Sequence, residues 1–200
     1  MPEAKKAARL ASLAQQVADL SSSPLYEYRQ KNSYHAVFGE GDPDADILFI
    51  GEAPGKQEAQ QGRPFVGASG RMLDKLLESI GLAREEVYIT NVVKDRPPEN
   101  RDPQPEEIAL YAPFLAQQIA IIQPQVIATL GRFAMQFVLA HFDVAAGDPK
   151  ISQVHGRPFA AEAEYGRVTL LPLYHPAVAL YNQTQRQTLF DDFEALSHLI

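Results

Sequence analysis

The sequence predicts an α/β protein, a three-layer α/β/α sandwich around a central four-stranded, mainly parallel sheet. Three observations carry the prediction. Short apolar and β-branched runs at positions 47–50, 87–93, 126–130 and 168–174 have the length and composition of buried strands. The stretches between them repeat apolar residues every three or four positions, the period of a helix that buries one face. Strands alternating with helices build βαβ units, whose crossovers cover both faces of a parallel sheet. With 200 residues, 46% of them hydrophobic and 22% charged, the chain fits a single domain over residues 1–200 with a sizeable core.

The first helix spans residues 4–20, where Ala7, Leu10, Leu13, Val17 and Leu20 form one stripe, and Ser21-Ser22-Ser23-Pro24 ends it. Residues 25–46 are irregular and polar, closing on the turn-rich Gly39-Glu40-Gly41-Asp42-Pro43-Asp44. The first strand then runs into Gly51-Glu52-Ala53-Pro54-Gly55, which neither helix nor strand absorbs. Met72, Leu73, Leu76, Leu77 and Ile80 mark the next helix, stopped by Gly81. Asn91 interrupts the second strand, and a charged, proline-rich loop follows to Pro103. Pro105 fits the first turn of a helix to about Ile122, with Ile108, Tyr111, Leu115, Ile119 and Ile122 inward. The third strand is followed by a helix opened by Gly131, and residues 140–166 are weakly patterned. His175-Pro176-Ala177 breaks the fourth strand, and a last helix covers residues 183–199.

Composition removes several function classes. Cysteine is absent, which excludes disulfides and thiolate metal sites. No run approaches the ~18 apolar residues of a membrane span, and the N-terminus lacks an apolar signal core, so the expectation is a cytoplasmic, monomeric protein without a membrane partner. The net charge of −7 argues against a wholesale nucleic-acid coat and leaves room for a local basic patch.

Chemistry-bearing residues gather at strand ends. In a parallel sheet the carboxyl ends share one edge, so Glu52 after the first strand, Asn91 in the second and His175 after the fourth can meet. Phe65 sits in a loop between Gly62-Arg63-Pro64 and Gly67, presented rather than packed. A buried amide needs partners, so Asn91 is either satisfied by backbone or aimed at a ligand. An acid, an amide and an imidazole beside an aromatic suit a flat, hydrogen-bonding ring: the ring stacks, the amide reads an edge, the imidazole stabilises charge developing on an oxygen. Each residue alone has a bland reading: Glu52 as a solvated acid, Phe65 as core, His175 as a strand cap, and Lys94, Arg96 and Arg101 as a solvated loop. His35, His141, His155 and His198 are read as structural or surface residues.

Together, GEAPGKQEAQQGRPFVG, ITNVVKDRPPENR and the HPA turn resemble the uracil-DNA glycosylase superfamily, specifically its family 4 enzymes, from about Pro24 to the last helix. The resemblance implies excision of uracil from DNA, with the nucleotide flipped into a pocket and an abasic site left behind. By motif position, Phe65 would stack on uracil, Asn91 would bond its polar edge, and His175 would stabilise the departing oxyanion. Glu52, with Asn100, would position or polarise water; which of the two handles it stays open. Glu58 would fill the space beside C5, with Gly51, Ala53 and Gly55 completing the substrate-binding turn. Lys94, Arg96 and Arg101 would contact DNA, and Leu180 would be the wedge. Family 4 enzymes look built around a four-iron, four-sulfur cluster; its ligand positions fall on Leu20, Ser23, Asp95 and Tyr111, so no cofactor is expected here and Tyr111 and Leu20 are the candidate replacement brace. Ala59 and Tyr181 stand where an Asp and a phosphate-binding Arg are common, and the Arg-rich insertion of the covalently trapping relatives is missing. Two further readings are a non-catalytic sensor of uracil or damaged DNA, and a glycosylase shifted towards hypoxanthine or xanthine.

Overall fold

The computed structural model describes residues 2–145 and 147–199. The chain passes through α1 (Glu3–Ala18), α2 (Tyr26–Lys31), β1 (Glu40–Gly41), β2 (Ile47–Gly51), α3 (Lys56–Gln61), α4 (Ala68–Ser79) and β3 (Tyr88–Asn91). It continues through α5 (Pro105–Ile122), β4 (Val126–Leu130), α6 (Arg132–His141), α7 (Ile151–Val154), β5 (Phe159–Ala163), β6 (Gly166–Leu173) and α8 (Gln183–Ser197).

Among the described residues the sheet has six strands in the order β1-β3-β2-β4-β6-β5, two more than the sequence predicts. The four expected strands are its parallel centre, β3-β2-β4-β6. Both additions are antiparallel edges, β1 against β3 and β5 against β6. An edge strand needs only one neighbour and no continuous apolar run, so Glu40–Gly41 and the alanine-rich Phe159–Ala163 gave no strand signal.

Alternation along the strands divides the core. Leu48, Ile50, Ile127, Val168 and Leu170 face one layer with α1, α5 and α6, while Ile47, Phe49, Ala128, Leu171 and Leu173 face the other with α4 and α8. The three-layer sandwich therefore follows from period 2 in the strands meeting period 3.6 in the helices. In α1 the buried stripe includes Lys6 where Ala7 was expected. The Lys6 ammonium donates to the Ile122 carbonyl at the C-terminal end of α5, 2.8 Å away, and pairs with Asp44. A cation at a helix C-terminus satisfies an orphan carbonyl, and this holds α1 against α5.

Strand order reverses between β2 and β4, since the chain leaves β2 for β3 on one side and returns to β4 on the other. A crevice opens beyond the carboxyl ends at such a point. Glu52, Asn91 and His175 all lie at this edge, because β2, β3 and β6 are parallel.

Candidate active site

A cavity of about 410 Å³ occupies the crevice, lined by Glu52, Ala53, Gly55, Glu58, Phe65, Ser69, Asn91, Asn100, His175 and Ala177. The expected catalytic trio of Glu52, Asn100 and His175 thus shares one wall system with the expected base-contacting residues Phe65, Asn91 and Glu58.

Asn91 ends β3 and is buried, and its Oδ1 has no hydrogen-bond partner among the described residues. An orphaned buried acceptor costs about 1–3 kcal/mol, so Asn91 is held here at some cost in stability. Gly51 makes the space for it: a Cβ there would lie 2.4 Å from Asn91 Oδ1 and 2.7 Å from the Phe65 ring. Gly51 therefore acts from behind the wall, and Ala53 and Gly55 line the cavity themselves.

Phe65 is both packed and presented. It is 6% exposed and belongs to the core layer with α4 and α8, yet one side of it lines the cavity, and its ring centroid is 5.7 Å from that of His175. Its φ of 49° is left-handed, an uncommon and strained conformation for a bulky residue that the surroundings must enforce. Three contacts enforce it. Glu58 Oε1 accepts the backbone N–H groups of Val66 and Gly67 at 3.0 and 2.8 Å. Arg84 donates to the carbonyls of Pro64 and Phe65 at 2.5 and 3.1 Å. Gly70 lets α4 start against the loop, since a Cβ there would lie 1.8 Å from the Phe65 carbonyl oxygen. Glu58 is thus a loop clamp as well as a cavity wall. Arg84 was invisible in the sequence: it follows α4 in a short turn and is held by Glu40 and Asp74, partners 44 and 10 residues away.

His175 follows β6, and its Nδ1 accepts the Ala177 N–H at 3.1 Å. The proton of the neutral ring must then sit on Nε2. Burial lowers the imidazole pKa to about 4 against an opposing pull from the Glu58 charge, so the ring is a neutral donor at physiological pH. Gly131, with φ 97°, lets the turn after β4 pass beside this ring, because a Cβ would meet His175 Cβ at 3.3 Å. Glu52 makes no side-chain hydrogen bond among the described residues. Burial pushes its carboxyl up to about 7, with the Asp102 charge adding to the shift and Arg132 opposing it. Asp102 and Arg132 form an ion pair at 2.5 Å, a pair the sequence did not single out.

Asn100 stands at the cavity rim on strained backbone: Glu99 and Asn100 have φ of 54° and 53°. Its Oδ1 accepts Arg96 Nε–H at 2.8 Å, which leaves the amide N–H groups as the available half. Arg96 is itself buried, donating to the hydroxyls of Tyr28 and Tyr34 at 3.0 and 3.1 Å. Lys94 is fully buried, with its ammonium on Thr90 Oγ1, the Asn91 carbonyl and Gln118 Oε1, and burial drives its pKa well below the ordinary value. Lys94 and Arg96, expected to contact DNA, are thus buried and bonded to groups of the protein itself, where they hold the Asn91 carbonyl and the Asn100 amide oxygen. Arg101 is partly exposed, with its guanidinium bidentate on Glu107. Leu180 and Tyr181 are 40% and 90% exposed in and after the turn that follows His175.

Residues 38–196 match the model of the "Uracil DNA glycosylase superfamily". The chain belongs to this superfamily. It is 40% identical to a type-4 uracil-DNA glycosylase of Sulfurisphaera tokodaii over 95% of this chain and 84% of the relative. A type-4 uracil-DNA glycosylase of Archaeoglobus fulgidus is 45% identical over 86% of this chain and 84% of its own length. A type-5 uracil-DNA glycosylase of Thermus thermophilus is 35% identical over 70% and 68%. The iron–sulfur cluster that the family 4 resemblance implies does not fit this superfamily member. Such clusters need cysteine thiolates, whereas the chain has no cysteine; Leu20, Ser23, Asp95 and Tyr111 are the residues that the resemblance sets at the ligand positions, and the last three bond to one another.

Proposed function

We propose that the protein is a monofunctional uracil-DNA glycosylase that hydrolyses the N-glycosidic bond of uracil in DNA and leaves an abasic site. The observation that carries this is the cavity at the carboxyl edge of the sheet, where the Phe65 ring, the buried Asn91 amide, Glu52 and His175 line one wall system. A flipped uracil matches that lining, being a flat ring that stacks on an aromatic and offers a polar edge to an amide.

The chemistry follows from the protonation states. As the bond between N1 and C1′ breaks, its electron pair passes to the base and spreads to O2, while the sugar becomes oxocarbenium-like. His175 Nε2–H donates to the developing oxyanion without giving up its proton, as suits a ring whose pKa is lowered to about 4. Ionised Glu52 stabilises the sugar cation and takes a proton from the water that attacks C1′. Asn100 cannot take that proton, since its oxygen is committed to Arg96 and it offers N–H only; its role is to orient the water. Glu58, held by the Phe65 loop, narrows the space beside C5 against a thymine methyl. The exposed Leu180 and Tyr181 enter the stack beside the vacated position, Leu180 as the wedge. On this reading the enzyme is a cytoplasmic monomer acting as one domain on uracil-containing DNA. Among the described residues no helix is long and apolar enough to cross a membrane.

Single- and double-stranded oligonucleotides carrying one uracil, hypoxanthine or xanthine, incubated with the protein and then cleaved with alkali at abasic sites, test the proposal. Scission at uracil is expected. Binding without scission on either substrate would replace the enzyme with a sensor, and scission confined to hypoxanthine or xanthine would shift the base.

A further inference from the structure

We infer that a buried polar network of Arg29, Asp95, Tyr111 and Ser23 replaces the iron–sulfur cluster as the brace of the segment carrying Asn91 and Asn100. The functional half of this inference rests on the reading of those two amides given above; the structural half does not.

Asp95 is the hub. Its Oδ1 accepts Arg29 Nη1–H at 3.0 Å, and its Oδ2 accepts the Tyr111 hydroxyl at 2.6 Å and the Ser23 hydroxyl at 3.4 Å. Tyr111 Oη also lies 2.9 Å from Ser23 Oγ. Arg29 donates further to the carbonyls of Val17 and Ala18 at the end of α1, at 3.3 and 2.7 Å. The four residues are 0–6% exposed. They come from the turn after α1, from α2, from the loop after β3 and from α5, so one carboxylate ties four chain segments together. Leu20, the remaining cluster position, packs against the core layer that contains Tyr111. The brace is therefore hydrogen-bonded, where the sequence suggested apolar packing of Tyr111 and Leu20.

A buried carboxylate is tolerated only when it is paired and its lone pairs are satisfied. Asp95 meets that condition, with three donors to two oxygens. Burial and the adjacent Asp95 charge raise the Tyr111 pKa, so the phenol stays a donor. The brace is connected to the site by sequence adjacency. Arg96, next to the hub, fixes Asn100 on its strained backbone, and Lys94, on the other side, holds the Asn91 carbonyl. A loop with two consecutive left-handed residues relaxes unless its base is fixed.

The test uses Asp95→Asn, which keeps the volume and leaves the Arg29 cation unpaired, and Tyr111→Phe, which removes one hydroxyl. Asp95→Asn should lower Tm by roughly 6–20 °C and Tyr111→Phe by roughly 2–10 °C. Assayed about 20 °C below each variant's own Tm, Asp95→Asn should lose roughly tenfold or more in kcat, the scale of a misplaced catalytic group. Leu139→Ala, a core cavity at the far end of α6, should lose Tm comparably and keep kcat. An unchanged Tm in both network variants, or equal kcat losses in Asp95→Asn and Leu139→Ala, overturns the brace. The quadruple variant Leu20→Cys, Ser23→Cys, Asp95→Cys and Tyr111→Cys, reconstituted anaerobically with iron and sulfide, should bind both. An iron-free product overturns the claim that these four positions share one site. An inactive wild type with the expected Tm losses would overturn the glycosylase reading and leave the structural brace standing.

Discussion

Replacing Glu52 by Gln removes the carboxylate assigned to take a proton from water, and a pH profile reads that group directly. Burial pushes the Glu52 carboxyl up to about 7, and only its ionised form attracts the sugar cation or accepts a proton. The rate should therefore rise with pH to a plateau above neutrality, with a midpoint near 7. At pH 5, two units below that value, about 1% of Glu52 is ionised, so kcat/KM should fall about 100-fold from the plateau. His175 does not confuse the limb, because its pKa of about 4 keeps most of it neutral at pH 5. The neighbouring ion pair supplies the control. Asp102→Asn removes a charge that raises the Glu52 pKa and should move the limb to lower pH; Arg132→Met removes one that lowers it and should move the limb up. The assay is single-turnover excision from a uracil-containing single strand between pH 4.5 and 9, with stability checked at each pH. A flat profile from 5 to 8, or Glu52→Gln with an intact limb, would refute the assignment of the proton acceptor.

Other outcomes follow from the same geometry. His175→Ala should slow excision by roughly 10²- to 10³-fold, the usual cost of a lost oxyanion donor, with DNA binding by gel shift little changed; an unaltered rate removes the ring from the chemistry. Phe65→Ala should weaken binding of free uracil, measured as product inhibition, by about 1–3 kcal/mol. Full affinity would make Phe65 core alone. Arg84→Met deletes the charged donors to the Pro64 and Phe65 carbonyls and should raise KM by a smaller factor than Phe65→Ala, leaving the pH limb in place. A KM equal to wild type would show that Glu58 and Gly70 hold the loop without it.

Much of the molecule was legible because its signals are local and repetitive. The four central strands could be read from apolar runs, and the meeting of Glu52, Asn91 and His175 followed from parallel strands sharing an edge. The two edge strands were missed because an edge satisfies its pairing with one neighbour and needs little hydrophobic signature. Phe65 was read as presented, yet it is packed as well, because its left-handed backbone lets one ring serve the core and the cavity.

The basic loop shows where the sequence stops. Lys94, Arg96 and Arg101 look alike as letters beside a base pocket, but the structure buries Lys94 and Arg96 and commits Arg101 to Glu107. Side-chain charge is a property of a residue, whereas desolvation and partnering belong to its surroundings, and those surroundings come from residues tens of positions away. Hydrophobic period and glycine placement thus determined the layers and the edge at which the site forms. Only the tertiary structure decided which acid is pushed to neutral pH, which nitrogen of His175 holds its proton, and that Asp95 gathers Arg29, Tyr111 and Ser23 into one buried network. Each of these depends on distances between chain segments that no local pattern encodes.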